Sequence, residues 1–387
     1  MIGKPINEIV EENLQSLVES KVAERKTLEY KRTLPGDSKR DKKEFLADVS
    51  SFANASGGDI VYGMTAQAGV PTALEGLSRS DIDGAILRLE SMARDGIRPR
   101  IPGIQTQPVA LSNSKAAIVL RVPNSWASPH RVIYEGHDKF YSRSSNGKYP
   151  LDVDELRSSF IASETLTERI RDFRAERIAK IVAGETPVPM NMGPATILHL
   201  VPTATFTRPQ TCDIGRVASN YSSMPPIRTF GWNGRYNIDG CVTYDSSRND
   251  YSLGYTQLFR SGIIEAVDTS LLDPTTDNRI IPSGLFEPAI VDAATSYRRI
   301  LTDLGVEPPL FFFLTLIGVK GYSMALRDRH VSQPIDRNIL WLAETMTEDY
   351  STDAALVLKP SFDALWNACG YPRSLNYNDE GEWAPRR

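Results

Sequence analysis

The sequence predicts an α+β protein of two domains, on three observations. Its 387 residues exceed what one core ordinarily organises. Helix-period and strand-period segments alternate through the first half of the chain. The stretch "GETPVPMNMGP" at 184–194, with three prolines and two glycines, then reads as a boundary. The expected organisation is a first domain over 1–165, a connecting helix and linker over 166–193, and an α/β domain over 194–387.

The elements follow in order. "MIGKPINEIVEENLQSLVES" reads as an amphipathic helix with Ile6, Ile9, Leu14, Leu17 and Val18 on one side. "TLEYKRTL" (27–34) alternates Leu28 and Tyr30 with Glu29 and Lys31, a strand with one polar face. Pro35-Gly36-Asp37 marks a turn. "DKKEFLADVSSFANA" (41–55) places Phe45, Val49 and Phe52 at helical spacing with Asp41 as the cap. Gly57-Gly58 ends that helix, and "DIVYGM" (59–64) follows as a strand. A helix is expected over 78–97, with Ser78 or Ser80 near its cap. Strands over 104–111 and 116–122, a hairpin over 131–144 turning at Glu135-Gly136, and helices over 152–164 and 164–183 complete this half. Beyond the boundary, strands are expected at 195–202, 240–246 and 311–319, and helices at 255–268 and 359–369.

Composition narrows the function classes. Hydrophobic residues at 41% against charged residues at 24% indicate a soluble globular chain. No apolar run reaches the roughly 18–20 residues that a membrane span needs, and the N-terminus lacks the basic-then-apolar order of a secretory signal. Cys212, Cys241 and Cys369 are scattered and odd in number, which points to a reducing cytoplasm rather than a disulfide framework. Neither they nor the four histidines show zinc-ligand spacing. Apolar residues on the N-terminal helix suggest a homodimer, two-fold assembly being the commonest. The second half shows no enzyme motif.

The net charge of −4 argues against a generally basic nucleic-acid binder, but the balance reverses locally. Residues 21–43 hold Lys21, Arg25, Lys26, Lys31, Arg32, Lys39, Arg40, Lys42 and Lys43 against Glu24, Glu29, Asp37 and Asp41, a local +5. Such a run attracts phosphates or forms a solvated loop. Within it, Glu29 and Lys31 share a strand face, and a bend would return Glu24 to them. Two carboxylates and a lysine can hold a divalent cation and stabilise a phosphoryl transition state; a surface salt bridge is the structural alternative. "GGD" at 57–59 reads as a helix cap rather than a phosphate loop, because no G-K-[ST] follows.

Three segments together carry a family resemblance: "E-x4-E-Y-K" at 24–31, "FLADVSSFANASGGDIVYGM" at 45–64, and "KFYSRSSNGKYPLDVDELRSSF" at 139–160. They resemble the Schlafen AlbA_2 family over about residues 20–162, so the resemblance implies a Schlafen-core-like N-terminal domain. It further implies a metal-dependent endoribonuclease acting in defence or stress, with Glu24, Glu29 and Lys31 catalytic and Glu24 and Glu29 holding Mg²⁺ or Mn²⁺. Lys39, Arg40, Lys42, Lys43, Tyr141 and Arg143 are the candidate nucleic-acid contacts, with RNA favoured over DNA.

The sequence departs from the family just after the second-strand glycine. Schlafen nucleases carry a third carboxylate after the second-strand glycine, in a G-V-D-D pattern, where "YGMTAQAG" offers Thr65 and Ala66. Asp59 lies six residues earlier, roughly 20 Å along an extended strand. Asp48 reaches Glu29 only if its helix face turns that way. The alternatives are therefore a non-catalytic DNA- or RNA-binding regulator that has lost the metal site and, further off, an ATP-binding module.

Overall fold

The computed structural model describes residues 1–387 except 79–80, 146, 192, 208–210, 230, 246–250, 273–278, 327–330 and 386–387. The chain divides into two compact units, Met1–Thr167 and Glu168–Arg387.

The first unit is built on a four-stranded sheet. Its elements are α1 (Glu11–Glu19), β1 (Leu28–Lys31), α2 (Lys39–Ala53), β2 (Gly58–Tyr62), β3 (Met64–Gln67), β4 (Val70–Leu74), α3 (Ile82–Gly96), β5 (Ile97–Arg98), β6 (Gln105–Ala110), β7 (Ala116–Val122), β8 (Arg131–Tyr134), β9 (His137–Ser144), β10 (Gly147–Pro150) and α4 (Val153–Val182). The main sheet runs β1-β2-β7-β6, with β1 parallel to β2 and the other pairs antiparallel. A second sheet, β10-β9-β8-β5, packs against α2.

Alternation along the strands divides the main sheet into two faces. Ile60, Tyr62, Ile118, Leu120 and Val122 meet Phe45, Leu46, Val49 and Phe52 of α2 and Leu89 of α3. On the opposite face Leu28, Tyr30, Val61, Ala117 and Val119 meet Ile2, Ile9 and Leu14. The apolar residues of the N-terminal helix are thus covered by their own unit, with Leu17 and Val18 packed on the same cluster. That removes the homodimer argument drawn from them.

Local chemistry explains the limits of α2. Ser38, not Asp41, is its cap: the Ser38 hydroxyl accepts the Asp41 N–H at 3.1 Å. At the other end Gly57 takes a left-handed φ of +65° and donates its N–H to the Phe52 carbonyl at 2.9 Å. A Cβ on Gly58 would stand 2.4 Å from the Phe52 ring, so this glycine pair seats the helix on the sheet. Ser80, one of the two caps expected for α3, lies outside the described residues.

The two helices expected over 152–164 and 164–183 are one, α4, which runs through the division between the units. No described helix is long and apolar enough to cross a membrane.

The second unit carries a larger sheet in the order Trp232–Tyr236, Gly240–Asp245, Gly254–Phe259, Ile264–Asp268, Ala195–Pro202, Leu310–Ile317, Ile339–Trp341, with Thr345–Thr347 also pairing Leu310–Ile317. Every one of these pairs is antiparallel, so the unit is helices laid on an antiparallel sheet. Ser283–Asp303 and Ala354–Ala368 cover one face through Phe286, Tyr297, Phe362 and Trp366. The helix expected at 255–268 is instead the hairpin Gly254–Phe259 and Ile264–Asp268. Gly262 turns it at φ +87°, and both strands are buried on both faces, so the period-2 pattern that marks a strand is absent.

On the other face Arg177 reaches Glu265 through two 2.8 Å bonds. His199 and Tyr255 complete the shell of that carboxylate at 3.0 and 2.9 Å. Burial tends to raise the Glu265 carboxyl, but Arg177 and His199 outweigh it and hold it down to about 2.

Candidate active site

The strand β1 presents Glu29 and Lys31 to α2, as their spacing predicts. The Glu29 carboxylate is held from both sides, by Lys31 Nζ at 2.6 Å and by Arg143 Nη2 at 2.8 Å. Lys31 also reaches Asp48 of α2 at 3.2 Å, and Lys148 of β10 reaches the other Asp48 oxygen at 2.6 Å. Lys148 in turn pairs with Glu44. The result is a ladder of alternating charge: Arg143, Glu29, Lys31, Asp48, Lys148, Glu44. Burial tends to raise the Glu29 carboxyl, and Lys31 and Arg143 overcome it to leave it below the ordinary range. Asp48, more deeply buried and repelled by Glu29, goes the other way and is raised. Burial lowers Lys31, but Asp48 and Glu29 together raise it above the ordinary lysine value. A cleft of about 360 Å³ opens beside Lys31 and Asp48, walled by the 33–36 loop, Glu44 and Tyr62.

The chain bends before β1, but Glu24 binds the Tyr30 backbone, and no ion pair joins it to Lys31 among the described residues. Arg25 and Leu28 exchange two 3.0 Å backbone hydrogen bonds, and this tight reversal returns Glu24 alongside β1. Its carboxylate there accepts the Tyr30 backbone N–H at 2.9 Å.

Asp59 is excluded by face rather than by distance. It pairs in register with Leu28, one residue from Glu29, but points to the opposite side of the sheet, where Arg121 binds it. Thr65 donates its hydroxyl to Glu75 at 2.7 Å, and Arg32 pairs with that same carboxylate.

These residues do not fit a divalent cation. Both oxygens of Glu29 and both of Asp48 already face cationic nitrogens. Among the described residues no group of three His, Cys, Asp or Glu side chains is placed to hold a metal ion. Lys31, Arg143 and Lys148 outnumber the Glu29 and Asp48 carboxylates they bind, so a divalent ion entering among them would have to displace a cation from each carboxylate.

The candidate nucleic-acid contacts divide. Arg143 is not a surface residue: it is 5% exposed, lies 3.7 Å over the Phe52 ring and is bound to Glu29. In "KFYSRSS" (139–145) the spacing conveys only alternation, and the alternation turns Arg143 inward beneath α2. Tyr141 is half-buried and hydrogen-bonds His137 Nε2 at 2.7 Å. Lys39 is exposed but paired with Glu135 at 2.5 Å. Arg40 is exposed, Lys42 and Lys43 are half-exposed, and none of the three has an ion-pair partner among the described residues.

Lys148 and Glu44 are additions that motif reading did not supply. The register of β9 and β10 sets Lys148 opposite Arg143, so the hairpin pairing was the available signal. Asn54, at the C-terminal end of α2, joins two other segments: its amide donates to the His130 and Tyr141 carbonyls and accepts the His130 N–H.

Comparison with known proteins bears on the first unit. Residues 24–152 match the family model "Schlafen, AlbA_2". No curated protein matches the chain. Among solved structures, the crystal structure of the DIP2311 protein from Corynebacterium diphtheriae aligns at 16% identity over 36% of this chain and 26% of that one, with a TM-score of 0.24. This chain therefore spans about a quarter of the length of that protein, and the likeness carries no argument.

Proposed function

We propose that the chain binds nucleic acid, RNA in preference to DNA, without cleaving it, on the premise of the match of segment 24–152 to the Schlafen AlbA_2 family. The family match associates the domain with a nucleic-acid-related function. The observation that carries the non-catalytic reading is the ladder: the strand carboxylate that would hold a metal is instead neutralised by Lys31 and Arg143. The cations left available lie on the N-terminal turns of α2, where Arg40, Lys42 and Lys43 face no carboxylate among the described residues.

One observation favours a nuclease. The packing of α2 brings a second carboxylate, Asp48, to the same lysine as Glu29. Fluorescence anisotropy with labelled RNA and DNA, run beside a cleavage assay in Mn²⁺ and in chelator, separates the two. Binding without metal-stimulated cleavage supports the proposal. Metal-dependent cleavage that Glu29→Gln abolishes overturns it. RNA favoured over DNA is the expected order of affinity.

A further inference from the structure

The β8–β9 hairpin carries an aromatic pair that the ladder does not use. His137 and Tyr141 stack with ring centroids 5.9 Å apart at 19°, and the Nε2–hydroxyl bond of 2.7 Å fixes them as one surface. Both rings are half-exposed. Lys139, exposed between them on β9, shares their face by alternation. Lys43 of α2 and Lys139 both lie close enough to act electrostatically on the His137 ring.

The acids around this surface are already engaged. Asp138 pairs with Arg131 at 2.9 Å, Glu135 with Lys39, and Glu44 with Lys148. Lys43 and Lys139, with Arg40 and Lys42 along α2, have no such partner among the described residues. A rigid ring pair rimmed by uncompensated cations suits an unstacked base with its phosphates. A duplex keeps its bases stacked on one another and can offer only its backbone.

We propose that His137 and Tyr141 form a stacking platform for an unpaired base, with Lys43 and Lys139 holding the flanking phosphates, so that the domain selects single-stranded over double-stranded nucleic acid. This rests on the nucleic-acid reading above and adds the substrate class and the residues that choose it.

The test compares a labelled oligouridine of about a dozen nucleotides with a blunt RNA duplex of similar length, by anisotropy at fixed salt. Wild type should bind the single strand at least tenfold more tightly. His137→Ala, at the hairpin end, should weaken single-strand binding by roughly fivefold or more and leave duplex binding unchanged, since only an unpaired base loses a stacking surface. Lys43→Ser with Lys139→Ser should weaken both ligands through the phosphates. Tyr141 also packs on the core, so Tyr141→Leu is compared only after its thermal melt matches wild type. Equal affinity for the two ligands, or a His137→Ala variant indistinguishable from wild type, overturns the platform and leaves nucleic-acid binding standing. Absence of binding to either ligand overturns both.

Discussion

Arg121 closes on Asp59 with hydrogen bonds of 2.8 and 3.2 Å, on the sheet face opposite Glu29, and both side chains are buried. Asp59 also accepts the Ile2 N–H at 2.5 Å, and Arg121 donates to the Ile2 and Lys4 carbonyls. The pair therefore fastens residues 2–4 beneath the sheet. Removing one partner leaves a buried uncompensated charge, so Arg121→Met should destabilise the first unit by roughly 3–5 kcal/mol in urea melts. A loss below about 1 kcal/mol, the ordinary value of an exposed pair, would refute this role.

Lys31 acts as an internal counter-ion to two carboxylates, so its removal should create metal affinity rather than destroy it. Electron paramagnetic resonance of Mn²⁺ should detect no tight binding to wild type. Lys31→Met, which leaves Glu29 and Asp48 facing each other, should bind Mn²⁺ measurably. Tight binding to wild type, lost in Lys31→Met, is the opposite result and restores the metal reading.

Thr65→Asp places a second carboxylate against Glu75, which Thr65 now serves as a donor. It should lower the urea midpoint, through a lost hydrogen bond and like-charge repulsion at Glu75, and should not elicit metal-dependent cleavage. Appearance of such cleavage would show that the missing acid alone silences the site.

Binding through α2 should fall with salt, because each phosphate neutralised contributes about 0.9 to the slope of log K against log salt on duplex DNA and about 0.7 on single strands. Neutralising Arg40, Lys42 and Lys43 together should flatten the slope by about 2–3 units. Lys39, already paired with Glu135, should change it little when replaced alone. An unchanged slope in the triple variant identifies a solvated surface.

His130 gives the first unit a pH dependence. Burial lowers its pKa to about 4, although the Pro99 carbonyl at 2.8 Å favours the charged ring. The unfolded chain takes up the proton near 6.5, the folded one only near 4. Stability is therefore complete above about pH 6.5 and falls by about 3 kcal/mol as pH drops toward 4. His130→Gln should flatten urea midpoints between pH 7 and 4.5. A midpoint that rises on acidification contradicts the sign.

The strands of the main sheet, the helices α2 and α3 and the hairpin of β8 and β9 were legible, and so was the shared face of Glu29 and Lys31, because they follow from period, whereas the short strands β3, β4, β5 and β10 were not. The side on which Asp59 lies was not legible, because it follows from the parallel register of β1 and β2, which sets Asp59 opposite Leu28. The rotation of α2 that delivers Asp48, and the hairpin register that delivers Lys148, depend on tertiary packing and leave no local trace. The hairpin 254–268 was hidden because burial on both faces removes the alternation that marks a strand.

Glu24 has a consequence for the behaviour of the chain in concentrated solution. β1 is the last strand of its sheet, and an open strand end is a template on which a foreign strand can add. The reversal at Arg25–Leu28 lays the preceding residues along that border. The Glu24 carboxylate occupies the Tyr30 N–H, and the Tyr30 hydroxyl binds the Val22 carbonyl at 2.7 Å. An acid at the motif position thus serves as a stopper against fibre growth, and its negative charge repels a second copy of the same border. Glu24→Ala would uncover the Tyr30 N–H and remove that charge together, leaving a border on which a second strand can add.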